Sequence, residues 1–276
     1  MKQNKIKSNN GRRNALVILT VAAVVAVIVG VLFSYDRLHG LWLEQCVVHD
    51  VASQVSITSG RMVKADVIAE NFGLTNGANL AQIDFSERRD ALLRKVPNLR
   101  SISVTRHLPD RVTIVTEERT PIARMGLCGQ SKDTCKVVDA DGVVFICARG
   151  TRMLPIIREA QTPGTATGQT LTGRARAALQ LIETVRDPNL AELGVLEVDV
   201  SKPDYLQAVL GDYSRAKIAW DGMDDPSPAK RDNLVRQLSL LLQAIRSRIG
   251  EGAVIWNATD TTPGTGYIYA DGKGRF

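Results

Sequence analysis

Histidine is scarce in this chain. Three occur, at positions 39, 49 and 107, too scattered to suggest a histidine triad or a histidine-based metal cluster. Gly-x-Ser-x-Gly, the glycine-rich phosphate loop and His-Glu-x-x-His are all missing, which removes the usual signatures of acyl transfer, nucleotide hydrolysis and zinc proteolysis. Asp139 and Asp141 lack the third oxygen ligand and the distant glutamate of a calcium loop, so turn chemistry is their expected role. Glu117 and Glu118 are expected to be solvated or ion-paired at a strand end rather than to act as a catalytic carboxylate pair. The expectation is a protein that is not an enzyme, with no cofactor and no small-molecule substrate.

Charge is missing altogether between Arg13 and Asp36, and no acidic residue precedes position 36. The 22 uncharged residues 14–35 are long enough for a helix to cross about 30 Å of hydrocarbon at roughly 1.5 Å per residue. Lys2, Lys5, Lys7, Arg12 and Arg13 lie before the run. The positive-inside rule then keeps the arm 1–13 cytoplasmic and exports the residues after 35. The apolar core is longer than that of a signal peptide, and Phe33-Ser-Tyr-Asp-Arg37 is a poor cleavage site, so an uncleaved anchor is expected. The net charge of +6 holds +5 from the arm, leaving about +1 for the rest. The high pI therefore gives no reason to expect nucleic-acid binding.

Only four cysteines occur, Cys46, Cys128, Cys135 and Cys147, all on the side where disulfides persist. Their spacing does not fit Cys-x-x-Cys zinc pairs. Four thiols permit three connectivities and the sequence does not choose; the short loop between Cys128 and Cys135 is the easiest closure and the preferred candidate.

After the span, 36–44 reads as a linker and 45–120 as one domain of order β-α-α-β-β. Val47 to Ile57 suggests an extended segment irregular near Asp50. Val63, Val67, Ile68 and Phe72 fall at helical spacing, with Gly73 ending the helix. Asp84 and Glu87 have the form of a helix-start box, and Pro97 stops that second helix. Alternation at Ile102 and Val104, then at Val112 and Ile114, predicts two strands joined by Leu108-Pro-Asp110. Residues 121–276 read as a second α+β domain: a hairpin at 136–145, helices near 174–186 and 227–249, and closing strands at 253–256 and 267–270. The class expected is α+β, with one transmembrane helix and a mainly antiparallel sheet in the second domain.

The stretch Pro97-x-Leu99-x-x-Ile102-x-Val104-x-Arg106-x-x-Pro109-x-x-Val112-x-Ile114-x-x-x-Glu118-Arg119-x-Pro121-Ile122-Ala123 resembles the signature of POTRA domains in the FtsQ/DivIB family of bacterial cell-division proteins. Gly77-x-Asn79-Leu80-x-x-x-Asp84 resembles that family's loop before the second helix, and the order of parts is similar too. Trp220-Asp221 and Trp256-Asn257 depart from the family pattern. The resemblance implies a single-pass inner-membrane scaffold at the division septum, linking early and late divisome proteins, with FtsB and FtsL as partners. It implies strand addition near the C-terminal end, with Tyr267, Ile268 and Tyr269 as contact candidates. The candidate POTRA surface comprises Arg106, Pro109 and Val112. The alternative is a POTRA-bearing envelope protein in polypeptide secretion or outer-membrane assembly; such proteins carry a β-barrel of alternating segments, which this sequence does not show.

Overall fold

The computed structural model describes residues 7–126, 134–148, 150–159, 164–223, 228–247, 255–260 and 269–271. It opens on one helix, α1 (Lys7–Gln45), of 39 residues, about 59 Å long at the α-helical rise. Its stretch Ala15–Gln45 has a mean hydropathy of 3.2 and none of its most apolar window is buried against protein. An apolar surface of this length without a protein cover is suited to lipid. The hydroxyls of Thr20 and Ser34 are satisfied within the helix: Thr20 Oγ1 donates to the Val17 carbonyl at 2.8 Å and Ser34 Oγ to the Gly30 carbonyl at 2.8 Å, as a hydrocarbon surround requires. The helix runs on through 36–44, the segment expected as a linker. Tyr35, His39 and Trp42 follow one another along one face of it, Tyr35 stacked on His39 at 5.9 Å and His39 tilted against Trp42 at 6.3 Å between ring centroids.

The chain divides into two compact units. The first holds Met1–Thr58, Ala65–Arg89 and Ser103–Val115; the second holds Ser59–Lys64, Asp90–Ile102 and Thr116–Phe276. Residues of the expected domain 45–120 therefore fall in both.

In the first unit the end of α1 is tied down. Asn79 Nδ2 donates to the Leu43 carbonyl at 2.9 Å, answering one of the carbonyls that a helix C-terminus leaves open. Leu80 N–H donates to the Cys46 carbonyl and Val48 N–H to the Ala78 carbonyl. The irregularity near Asp50 is a helical turn, α2 (Val51–Gln54), leading into β1 (Val55–Thr58). Asp50 caps it by accepting from Ala52 N–H and Ser53 Oγ. The Ser53 hydroxyl and then the Ala52 N–H hold its carboxyl below the usual aspartate range. Helix α3 (Ala65–Asn71) ends at Gly73, whose φ of 62° is left-handed. Helix α4 (Phe85–Lys95) begins as expected, with Asp84 Oδ1 accepting from the N–H groups of Ser86 and Glu87. Phe72 and Phe85 stack at 5.9 Å in the core.

Strands β2 (Leu99–His107) and β3 (Arg111–Glu118) are neighbours in a three-stranded sheet of order β1-β3-β2, in which β1 runs parallel to β3. Between them the Leu108-Pro109 peptide is cis.

The second unit builds a nine-stranded sheet. Its strands are β4 (Ala123–Met125), β5 (Cys135–Val138), β6 (Val144–Cys147), β7 (Ile156–Arg158), β8 (Glu197–Asp199), β9 (Leu206–Val209), β10 (Arg215–Ile218), β11 (Ile255–Ala258) and β12 (Tyr269–Asp271). The order is β12-β11-β10-β9-β8-β7-β4-β5-β6. Five of its eight pairings are antiparallel, so the sheet is mainly antiparallel; the parallel ones are β10–β11, β4–β7 and β7–β8. Helices α5 (Gly173–Val185) and α6 (Pro228–Arg246) cover one face. The rung Met125–Ile157–Val198–Ala208–Ala216–Trp256 lies beneath them. Alanines in the middle make room for helix leucines, while Trp256 fills the flank. Trp220 and Trp256, two departures from the family pattern, are thus core residues, 4% and 5% exposed.

Helix α5 has nine of its thirteen residues buried, more than one inward stripe would supply. It packs on both β7 and α6, so two flanks are covered. Half-buried Glu183 is part of that cost. Burial pushes its carboxyl up, against the opposing pull of Arg176, Arg231 and Arg186. A carboxyl whose folded pKa is raised binds its proton more tightly in the folded chain. Stability is then greatest below the ordinary glutamate value of about 4.3, and falls as pH rises through the raised value. Glu183→Gln should therefore raise the urea midpoint of the detergent-solubilised chain at about pH 7.5, and the gain should shrink towards about pH 4. An equal gain at both pH values would dissociate it from titration.

Candidate partner-binding surfaces

Strand β12 lies at one end of the nine-stranded sheet. Its inner side pairs with β11, setting Tyr269 opposite Asn257, Ala270 opposite Trp256 and Asp271 opposite Ile255. The sheet's other end, β6, has its outer side partly engaged. Val144 N–H donates to the Gln169 carbonyl and the Val144 carbonyl accepts from Gly168 N–H, while Asn98 Nδ2 donates to the Ile146 carbonyl at 2.7 Å. The two edges are therefore unequal among the described residues: β6 is partly covered, and β12 ends the sheet on the other side. Of the candidate contacts, Tyr269 is the first residue of β12; Tyr267 and Ile268 lie outside the described residues.

The position of β11 is set by a side chain that the sequence reading missed. Gln237 of α6 is 4% exposed, and its Nε2 donates to the carbonyls of Ala258 at 2.9 Å and Asp260 at 3.2 Å. The signal was available: Gln237 falls on the Leu234, Leu238, Leu241 stripe, and a polar residue there must find a partner. Helix α6 thereby holds the end of the strand on which β12 rests.

The three candidates in the first unit have different fates. Pro109 is exposed at the turn. The Arg106 guanidinium lies over the Phe85 ring at 4.7 Å, a cation–π contact. Val112 is 1% exposed. Alternation along β3 sends its side chain into the core, so it is not a surface contact; the exposed positions of that strand are Arg111, Val115 and Glu117. The turn itself is tied to α2 through Gln54 Nε2, which donates to Asp110 at 2.8 Å.

The Glu118-Arg119 step is structural. Glu118 accepts three backbone N–H bonds, from Arg61, Met62 and Val63, at 2.7–2.8 Å. A side chain at Gly60 would overlap the Glu118 carboxylate, which explains the glycine. Arg119 donates through Nε to the Pro97 carbonyl and pairs through Nη1 with Asp139 and Asp141. Asp139 does turn work as well, accepting from Val143 N–H at 2.9 Å in the β5–β6 connection, where Gly142 has φ 85°. Turn chemistry alone, as expected for these aspartates, is thus only half of their role.

Cys135 is disulfide-bonded, and Cys46 and Cys147 keep their thiols; the candidate partner Cys128 lies outside the described residues. Among the described residues, no three His, Cys, Asp or Glu side chains form a group able to hold a metal.

Residues 52–119 match the family described as POTRA domain, FtsQ-type. The chain is also 26% identical over 197 residues to the cell division protein FtsQ of Streptomyces collinus, covering 70% of each chain.

Arg119 and Asp139 have 14% and 6% of their side chains exposed. Breaking such a pair from one side strands a buried charge. Arg119→Ala should cost about 3–5 kcal/mol in chemical unfolding, whereas Arg119→Met combined with Asp139→Asn, which keeps the acceptor for Val143 N–H, should recover part of it. A small loss in the single variant would mean that the pair is solvated.

Proposed function

Both matches support the FtsQ/DivIB family and a cell-division protein, and on that premise we propose that the chain is a bitopic, non-enzymatic scaffold of the divisome. It joins early and late division proteins by binding alone. The basic arm stays in the cytoplasm, α1 crosses the inner membrane, and the rest lies on the far side, at the septum. The partners are FtsB and FtsL for the second domain, 121–276, and earlier division proteins for the POTRA domain, 45–120. The observation that carries the reading is the placement of β12. A sheet edge offers unpaired N–H and C=O groups in a row, and an extended partner segment can complete them by strand addition. Confinement by α1 raises the effective concentration of partners anchored in the same bilayer, so modest contacts suffice.

Replacing Tyr267 and Tyr269 with aspartate should weaken capture of FtsB from detergent extract without changing the circular dichroism spectrum. Undiminished capture by the folded variant removes this edge from the reading. Depletion in the native cell, with a fluorescent fusion as reporter, should give filaments and a midcell band. Normally dividing cells with a leaky envelope would instead point to secretion or outer-membrane assembly.

A further inference from the structure

The sheet of the second unit has one face under α5 and α6; the other carries Arg124, Ile156, Glu197 and Val209 as neighbours on four adjacent strands. A groove of about 370 Å³ lies on that face, within the second unit. Its walls are two short loops. One presents Met153, 94% exposed, and the other Tyr213, 80% exposed, with Leu196 between them at 41%.

Neither loop shows its apolar residue for want of structure. The Met153 loop is pinned by Thr151, which donates to Cys135 Sγ at 3.4 Å, and by Arg124 Nε donating to the Leu154 carbonyl at 3.2 Å. The Tyr213 turn is pinned by Asp212 Oδ1, which accepts from Ser214 N–H and Oγ at 2.9 and 2.7 Å. Tyr213 has φ 65°, a left-handed conformation that favours glycine and disfavours a bulky side chain. Folding would be served better by glycine there, so the ring is kept against the local backbone preference. Outliers of this kind concentrate at ligand-holding sites.

The backbone beneath the groove is already used: Ile156 N–H donates to Leu196, Leu196 N–H to Val209, and Arg124 N–H to Pro155. Recognition there must go through side chains and cannot be strand addition. The charge balance then selects the occupant. Glu197 is matched by Arg158 at 2.9 Å. Arg152, exposed at the groove, makes no ion pair among the described residues, leaving a cation beside an apolar trough.

We propose that this groove is a second partner-binding site, separate from the β12 edge, which takes a segment of another protein presenting a bulky apolar side chain flanked by a carboxylate. The apolar side chain seats against Met153, Leu196 and Tyr213, and the carboxylate meets Arg152. Methionine adapts to irregular partners, and tyrosine gives a large contact at low entropic cost.

The probe is a phage-displayed library of random linear peptides, panned on the full chain in detergent micelles. Enriched peptides should share a bulky apolar residue with Asp or Glu close by. Their synthetic forms should bind about tenfold or more weakly to Arg152→Glu and to Tyr213→Gly, while Tyr213→Gly unfolds at the same or a higher temperature than the parent. Binding should be unchanged in Tyr269→Asp. The proposal falls if no peptide is enriched, if the enriched peptides lack an acid, or if both groove variants bind normally. Loss of binding in Tyr269→Asp would assign the peptides to the strand edge instead. A concentration-dependent dimer of the full chain that Tyr213→Gly abolishes would assign the face to a second copy and also overturn it.

Discussion

A charge taken out of water must be answered, and Arg119 is the charge on which the second unit turns. Its guanidinium is answered by Asp139 and Asp141 from the β5–β6 turn and by the Pro97 carbonyl, and its own N–H donates to the Asn98 carbonyl. The residue before it, Glu118, gathers the N–H groups of 61–63. Two adjacent side chains of opposite sign therefore fix three separate stretches of chain at the root of β3. Each group needs its own partners in place, because a half-answered buried charge is worse than none.

From that root the nine-stranded sheet inherits unequal faces and unequal edges. One face is sealed by α5 and α6 through an apolar core in which two alanines sit between larger residues along a rung. The other stays half open and carries the groove near Arg152 and Tyr213. One edge, β6, is engaged by 168–169 and Asn98, whereas β12 ends the order at the other side. A protein that works by binding needs such asymmetry, since its specificity lies in which surface is left uncovered.

The membrane helix belongs to the same logic. It continues to Gln45, and its last turn is met by Asn79 from the Gly77–Leu80 loop. That bond answers one of the carbonyls that a helix end leaves open. The polar residue in that loop thus serves the anchor, and the resemblance it carries has a physical cause.

The sequence by itself determined the anchor, the helices and most strands, because uncharged length, periods of 3.6 and 2, and cap residues such as Asp84 are local signals. It located the hairpins at 108–110 and 139–142 for the same reason. What it left to the tertiary structure were the non-local answers to buried polarity. Gln237, a polar residue in a leucine stripe, finds its partners only when Ala258 and Asp260 come beside it. Asp139 looked like a turn residue until Arg119 arrived from a distant part of the chain. Val112 is different: its alternation with Arg111 and Thr113 already marked the buried face of β3, and the fold keeps it in the core rather than on a partner surface. The unusual backbone of Tyr213 is invisible to any periodicity. Burial and hydrogen-bond partnership depend on which distant segments meet, and only the folded chain decides that.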